Sequence, residues 1–439
     1  MKENLEAIFR MLIMTGQKRP IAVGCPREVA LLHKKDKICV CLGVRRCGKS
    51  TLMAGRMAEL LAQGVSRENI VHINFADDRL LPLHNGGWDA LYSAYYGMYP
   101  EKMRHETVYF FFDELQIFHG WELFVERLRR DENCEIYITG SSAALLSKEI
   151  HTALRGRSLS NELFPFSFGE YMERRGLARL GYDAEYLMQR RKAWHDYKQE
   201  GGFPEAYGEN EELRRTLFQE YYDSLLYRDI VERHQISQPL LLRMFAGRLI
   251  SNVGSLISVN KIQNILKSMG VNAARETLQQ YLLWLEDAYF IFTLPAATPS
   301  AIERARSMRK IYAIDHAMVH ALCAPFSDNN GPQLENMVYL ALRRHTSDIY
   351  YYKTQKNNEV DFLVNRHGKK ALIQVCADMS DEKTKNRELR ALEEAMHETG
   401  IKQAYVITEF QTDTINTPIG DIQCLSALDF LAAERPMFL

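Results

Sequence analysis

The sequence lacks a long uninterrupted apolar run and any Cys-x-x-Cys pair. Its start, residues 1–20, carries Glu3 and Glu6 and resembles neither a secretory signal nor a membrane span. The eight cysteines are scattered, none forms a Cys-x-x-Cys pair, and Cys39 and Cys41 fall inside an apolar segment. This distribution argues against a disulfide framework and against a zinc ribbon. We therefore expect a cytoplasmic protein with reduced thiols and no membrane partner.

An excess of charge of one sign is also lacking. Lysine and arginine together number 55 and aspartate and glutamate 56, which gives a formal net charge of −1. This balance offers no global electrostatic case for binding nucleic acid or a membrane, although a local basic face can exist within it. Paired histidine spacing is limited to His316 and His320, without a third ligand, so no metal other than Mg²⁺ is expected. A length of 439 residues predicts several domains.

What the sequence does contain is a phosphate-loop motif. Residues 43–50 read GVRRCGKS and fit the pattern of Gly, four free residues, Gly, Lys and Ser. The apolar segment 37–42 before the loop predicts a buried strand, and the spacing of apolar residues over 52–62 predicts a helix. A chance glycine turn is the alternative. The residues predicted to contact the nucleotide are Gly43, Val44, Arg45, Arg46, Cys47, Gly48, Lys49, Ser50 and Thr51.

The chemistry of the loop follows from the residue types at these positions. Backbone amides and the positive end of the following helix can surround the β-phosphate of ATP. Lys49 can reach the β- and γ-phosphate oxygens, and the hydroxyl group of Ser50 can ligate Mg²⁺. The motif therefore predicts ATP and Mg²⁺ as cofactors, with Lys49 as a catalytic cation.

A second motif, a Walker B element, follows downstream. Residues 108–114 read VYFFFDE, an apolar run that ends in two carboxylates, as a central parallel strand does where it opens on a ligand crevice. Asp113 is predicted to hold Mg²⁺ through water or through the Ser50 hydroxyl group. Glu114 is predicted to orient and deprotonate the attacking water. The alternative is a strand without a catalytic role that ends in two solvated carboxylates.

The next predicted strand, 135–142, ends in small polar residues. A hydroxyl group there can sense the γ-phosphate, and the candidates are Thr139, Ser141 and Ser142, of which Ser141 is assigned to nucleotide binding. Either Arg155 or Arg157 can then stabilise charge in the transition state, on the same or a neighbouring phosphate site. Arg157 is taken as the catalytic candidate. A surface or structural arginine is the alternative, and action in trans would require a homo-oligomer.

The motifs together resemble those of a bacterial and archaeal family of AAA+-like P-loop ATPases, and the resemblance covers nearly the whole chain. It implies an ATPase core, a winged-helix segment and a C-terminal domain that looks like a restriction-endonuclease fold. The predicted fold class is α/β, with a parallel-sheet P-loop core, then a helical and winged-helix segment, then an α/β nuclease-like domain. The motifs that carry the resemblance are GxRRxGKST (43–51), FDELQ (112–116), TGSS (139–142), GRS (156–158), FPFSFGEY (164–171), GGFPEA (201–206) and YRDI (227–230).

Four domains are expected on this basis. Residues 1–165 form the ATPase core and residues 166–238 a helical linker or lid. A winged helix-turn-helix follows at 239–327. Residues 328–439 form the nuclease-like domain, which we expect to be catalytically degenerate.

The winged-helix prediction has support in its own residues. Apolar spacing predicts helices at 240–252, 259–269 and 273–288, with Ser258 and Asn272 as N-caps. The third helix can enter a DNA groove, although winged helices also serve as lids or docking modules. That helix offers Arg275, Gln279 and Gln280 as polar groups, and the loop of the wing contains Arg304, Arg306 and Arg309.

The C-terminal region carries a constellation that resembles a nuclease core. Glu335 lies on a predicted helix and Asp361 on a predicted strand, as in sites that hold Mg²⁺ with carboxylates and position water with a lysine. Where that pattern requires an acid, one residue and a lysine, this chain has Gln374, Val375 and Cys376. Lys369 and Lys370 precede the strand and would need an unusual geometry to replace the missing cation.

Three hypotheses follow from the sequence. The first is an ATPase whose nucleotide state switches contacts with nucleic acid or a protein partner. The second is an ATP-gated nuclease that uses Glu335 and Asp361. The third is a DNA-binding regulator that holds ATP without hydrolysing it.

Overall fold

The computed structural model describes residues 2–85, 87–140, 156–323 and 331–434. The chain divides into two compact units, residues 1–163 and residues 164–439. The finer division of the second unit into a linker, a winged helix and a nuclease-like domain stays a prediction. Within the described ranges, no helix is both long and apolar enough to cross a membrane.

The first unit contains a five-stranded sheet in the order β2-β3-β4-β1-β5, in which every neighbouring pair is parallel. This arrangement confirms the predicted α/β class with a parallel-sheet core. Its strands are β1 (Ile38–Leu42), β2 (Ile70–Asn74), β3 (Val108–Asp113), β4 (Cys134–Gly140) and β5 (Ser158–Glu162). Its described helices are α1 (Lys2–Lys18), α2 (Lys49–Ala62), α3 (Asp89–Met98) and α4 (Trp121–Asp131).

Burial explains why the central strands read as apolar runs. All five residues of β1 are buried, and only one residue of β3 is partly exposed, because helices cover both faces of a parallel sheet. The carboxyl ends of β1, β3 and β4 meet at one edge, where Cys41 pairs with Thr139 and Phe112 pairs with Ile138. The sheet therefore gathers the phosphate loop, Asp113 and Thr139 at the same edge.

The first part of the second unit is helical and includes a three-stranded sheet in the order β6-β8-β7. A π-helix, Leu225–Glu232, contains the YRDI motif. The other helices are α5 (Phe168–Arg174), α6 (Ala184–Glu200), α7 (Glu211–Ser224), α8 (Pro239–Ile250), α9 (Val259–Ser268), α10 (Arg275–Asp287), α11 (Ala301–Arg306) and α12 (His316–Leu322). The strands are β6 (Leu256–Ile257), β7 (Ile291–Leu294) and β8 (Arg309–Ala313).

The sequence predicts N-caps at Ser258 and Asn272 for two helices of this part. Ser258 caps α9 by accepting a hydrogen bond from the amide of Lys261, as predicted. The prediction for Asn272 is wrong, since α10 begins after Ala274, which has no side-chain oxygen to cap the helix.

The C-terminal part contains a six-stranded mixed sheet in the order β13-β14-β12-β11-β10-β9. Helix α14 packs on β10 and β11, which buries the apolar side of the sheet. The strands are β9 (Ile349–Lys353), β10 (Glu359–Arg366), β11 (Lys369–Val375), β12 (Ala404–Thr408), β13 (Asp413–Asn416) and β14 (Asp421–Ser426). The helices are α13 (Gly331–Arg343), α14 (Glu382–Thr399) and α15 (Ala427–Ala432).

The FPFSFGEY and GGFPEA motifs pack against each other inside the second unit. The Phe166 amide donates to the Gly202 carbonyl at 2.6 Å, and a Cβ on Gly202 would lie 2.4 Å from the Phe166 carbonyl oxygen. Ser167 and Glu170 form a capping box at the start of α5. The buried Asp315 carboxylate accepts a hydrogen bond from the Gly202 amide at 2.7 Å. These two motifs therefore serve the packing of the fold.

Candidate functional site

The phosphate loop connects β1 to α2 through backbone conformations that favour glycine. Gly43 has φ 155°, Gly48 has φ 101°, and Arg46 adopts the left-handed region at φ 65°. A Cβ on Gly43 would lie only 2.1 Å from the carbonyl oxygen of Leu163. The loop thus has a specific path that excludes a side chain at Gly43, which argues against a chance glycine turn.

Lys49 points its ammonium group into this loop. The residue is only 5% exposed, and Nζ donates hydrogen bonds of 3.0 Å to the carbonyl oxygens of both Gly43 and Val44. An ammonium group has three N–H donors, so the two bonds to carbonyl groups leave a third donor for an anion. Its place at the loop therefore fits the predicted contact with phosphate oxygens.

The two predicted Mg²⁺ ligands are in direct contact. The Ser50 hydroxyl group donates to Asp113 Oδ2 at 2.5 Å, and the Thr139 hydroxyl group donates to Asp113 Oδ1. Asp113 is 8% exposed, whereas Ser50 is exposed. A hydroxyl group and a carboxylate at a phosphate loop are the protein ligands that Mg²⁺ takes beside nucleotide phosphates, so the donor set fits the ion.

Glu114 holds an unusual backbone conformation next to Asp113. Its φ of 55° lies in the left-handed region, which non-glycine residues rarely adopt. Its amide donates to the Thr139 hydroxyl oxygen at 3.2 Å, and its carboxylate accepts a hydrogen bond of 2.5 Å from Gln116 Nε2. These bonds fix Glu114 at the edge of the sheet where the loop lies, the place that the predicted base requires.

Arg157 lies at the opposite edge of the sheet. Its carbonyl oxygen accepts a hydrogen bond from the Ile38 amide at 2.9 Å, at the amino end of β1, and its guanidinium group pairs with Glu126. A strand of five residues separates that end from the phosphate loop by about 16 Å. The structure does not bring Arg157 to the phosphate site of its own chain, and a role at the site of a second copy stays a prediction. Ser141, Ser142 and Arg155 lie outside the described residues.

Arg27 is a residue of this site that the sequence reasoning missed. Its Nη1 donates to the Cys47 carbonyl oxygen at 2.9 Å and lies 3.3 Å from the position of a Cβ on Gly48. The segment that carries it is anchored on β5, where Asn161 Oδ1 accepts a hydrogen bond of 2.7 Å from the Leu32 amide. This segment has no regular secondary structure, so no hydrophobic periodicity could have revealed the contact.

The nuclease-like constellation is also assembled, but around an unexpected cation. Lys310, from β8, places Nζ 2.9 Å from Glu335 Oε1, 2.8 Å from Asp361 Oδ1 and 2.7 Å from Glu359 Oε1. The Tyr312 hydroxyl group donates to Glu335 Oε1 at 2.7 Å. Burial raises the pKa of Glu335 to about 7, the Asp361 charge adds to this rise, and Lys310 opposes it.

The residues that replace the nuclease pattern on β11 make other contacts. Gln374 accepts a hydrogen bond of 3.2 Å from the Asp361 amide and donates one of 2.6 Å to Glu388. The Cys376 thiol donates to the Asp378 carbonyl oxygen. Lys369 and Lys370 are exposed at the start of β11. In the antiparallel register they lie opposite Arg366 and Asn365 of β10. Neither lysine lies in the carboxylate cluster, whose cation is Lys310.

The loop that was predicted to form a wing has arginines that contact other residues of its own unit. The loop between β7 and β8 contains α11, and Arg304 donates to the Thr298 carbonyl oxygen at 2.7 Å while it lies over the Tyr350 ring. Arg309 donates to the Thr293 hydroxyl oxygen at 3.1 Å. These two arginines are therefore engaged within the unit. On α10, Arg275, Gln279 and Gln280 are exposed, as the sequence predicts for the helix that would enter a DNA groove.

Comparison with known proteins identifies the family. A family model described as an AAA domain matches residues 35–172, and two models of domains of unknown function match residues 191–330 and 330–428. An uncharacterized protein of Methanocaldococcus jannaschii is 34% identical over 84% of this chain and 81% of its own length. The chain belongs to this family of AAA+-like P-loop ATPases. Another family relative, an uncharacterized protein of Haemophilus influenzae, is 29% identical over 79% of this chain and 84% of its own length.

Solved structures resemble this family member only at low scores. A Walker-type ATPase of Pyrococcus abyssi has 14% identity and a TM-score of 0.40 over 72% of this chain and 94% of that one. The Orc1 protein of Aeropyrum pernix in complex with DNA has 11% identity and a TM-score of 0.27 over 73% of this chain and 91% of that one. The family assignment rests on the AAA-domain match and the archaeal relative.

The raised pKa of Glu335 predicts how stability depends on pH. A folded-state pKa of about 7, above the usual 4.5, means that folding favours the protonated acid. The contribution is fully present below pH 4.5 and is lost as pH rises through about 7. We expect chemical unfolding at about pH 5 and pH 7 to show a smaller loss of stability with rising pH in Glu335→Gln than in the parent. The exposed Glu393→Gln is the control, and an unchanged pH slope in Glu335→Gln would contradict the prediction.

Proposed function

We propose that this protein is a Mg²⁺-dependent ATPase that acts as a nucleotide-driven switch on nucleic acid or on a protein partner. The observation that carries the proposal is the hydrogen-bonded chain from Ser50 through Asp113 and Thr139 to Glu114, at the edge of the sheet that carries Lys49. A nucleotide-binding protein without hydrolysis needs the loop and the lysine. The fixed second carboxylate, Glu114, is the group that hydrolysis adds.

Each residue has a separate task in the proposed reaction, which converts ATP and water to ADP and phosphate. Mg²⁺, when bound, neutralises charge on the β- and γ-phosphate oxygens. The Lys49 ammonium binds the same oxygens, and the turn at Gly48 presents loop amides to the phosphates. The Glu114 carboxylate orients the attacking water and accepts its proton. Gln116 and Thr139 hold Glu114 in position for this step.

The switch requires a surface that meets the partner, and the exposed face of α9 and α10 has the composition for duplex DNA. Lys261, Lys267 and Arg275 are exposed there and can bind phosphates. Gln279 and Gln280 are exposed on α10, and a glutamine amide can form two hydrogen bonds with the major-groove edge of adenine. This combination of cations and amides favours DNA over an acidic protein surface as the partner.

ATP hydrolysis tests the enzymatic part of the proposal. We expect Mg²⁺-dependent phosphate release by the purified protein to fall by a factor of about 100 or more in Glu114→Gln, with ATP affinity retained. Lys49→Ala should lose both binding and turnover, because its cation contacts the nucleotide in the ground state and the transition state. Glu122→Gln, on the neighbouring α4, is a control of the same chemistry and should retain parental turnover. ATP binding without turnover in the parent protein would favour the non-hydrolysing regulator.

DNA binding tests the partner. We expect Lys267→Ala combined with Arg275→Ala to weaken binding of a duplex oligonucleotide roughly tenfold and to reduce the salt dependence of binding by about two counterions. The control is Lys369→Ala combined with Lys370→Ala, which removes the same charge from exposed positions on β11. Equal losses in the two double variants, measured by fluorescence anisotropy, would show a nonspecific charge effect and contradict a contact through α10.

A further inference from the structure

Lys310 is a buried cation whose ammonium group contacts three carboxylates. It is 2% exposed, and its three nearest carboxylates belong to Glu335 on α13 and to Glu359 and Asp361 on β10. An ammonium group has three N–H donors, so one can serve each carboxylate. The side chain therefore links the β6-β8-β7 sheet to two elements of the C-terminal sheet domain.

The charges of the cluster do not balance. When all three are ionised, the carboxylates carry a formal charge of −3, whereas Lys310 supplies +1. Protonation of Glu335, whose pKa is raised to about 7, leaves a charge of −2 that still exceeds the charge of Lys310. Tyr312 adds a hydrogen bond to Glu335 but no charge. Arg387 is paired with Glu388, and Gln374 lies between Glu388 and Asp361. The cluster is thus strongly selective for a cation at its centre, and the loss of that cation would leave uncompensated buried acids.

The three carboxylates of the cluster have limited contact with solvent. The side chains of Asp361 and Glu335 are 9% and 13% exposed, and Glu359 is 32% exposed. The scissile phosphate of a nucleic acid would have to reach carboxylates that already contact Lys310.

We propose that Lys310 is a built-in cation that closes this carboxylate cluster. Its ammonium group takes the position that a divalent metal takes in a nuclease with the same acids, and it therefore excludes a metal ion. The same contacts link β8 to α13 and β10. The C-terminal domain then serves as a structural platform for the winged-helix segment and performs no metal-dependent cleavage. This inference is independent of the proposed ATPase activity.

The test compares the nucleotide-free full chain with its Lys310→Met variant in thermal unfolding, with and without Mn²⁺. The parent should show no Mn²⁺-dependent shift. Lys310→Met should unfold roughly 10 °C lower, because the carboxylates lose their counter-charge. Saturating Mn²⁺ should raise that temperature again by roughly 5 °C, and the added substitution Asp361→Asn should abolish this rise.

Other outcomes would contradict the proposed role of Lys310. Mn²⁺ binding by the parent that is lost in Asp361→Asn would show an open metal site. Parental stability of Lys310→Met would also contradict the proposal. Where Lys310→Met does not fold, the triple variant with Glu335→Gln and Asp361→Asn should recover folded protein, because neutral groups then replace the whole cluster. Failure of the triple variant to fold would overturn the proposal as well.

Discussion

The candidate ATP site depends on one close backbone approach, that of Gly43 to Leu163. The Leu163 amide donates to the Leu42 carbonyl oxygen at 2.7 Å, and the Leu163 carbonyl oxygen occupies the space of any Cβ on Gly43. This contact fixes the direction in which the chain leaves β1. The direction determines where α2 begins, and so where Ser50 meets Asp113 at the end of β3. The ligand chemistry is therefore a consequence of a parallel sheet with one tightly turned loop.

The parts of the site that the sequence predicted are those that short local patterns encode. The phosphate loop and the Asp113-Glu114 pair each follow a buried strand directly, and parallel strands bring their ends together. Residues that join the ATP site or the carboxylate cluster over long sequence separations gave no such signal. In the carboxylate cluster, Lys310 lies 25 positions from Glu335 and 51 from Asp361, and a lysine at the start of a strand does not reveal distant acids.

The same distinction applies to the fold. The strands of the first unit were predictable because burial on both faces produces continuous apolar runs. The helices of the predicted winged-helix segment were predictable from spacing, but the start of α10 was not, because Ala274 offers no capping side chain. The wing loop forms the short α11, whose Ser300 cap lies among residues without apolar periodicity. In the C-terminal part, the carboxylates of Glu335 and Asp361 contact the ammonium group of Lys310, which no local pattern of the sequence indicated.

Calorimetric titration of ATP with Mg²⁺ into Gly43→Ala and Gly55→Ala is the sharpest test of an ATP site at residues 43–50. Both changes add one methyl group, but Gly43 has no room for it, whereas nothing lies within 4 Å of a Cβ on Gly55. Gly43→Ala should lose ATP binding while it stays folded by circular dichroism, and Gly55→Ala should bind ATP like the parent. Equal affinity in the two variants, or no binding by the parent, would contradict an ATP site at these residues.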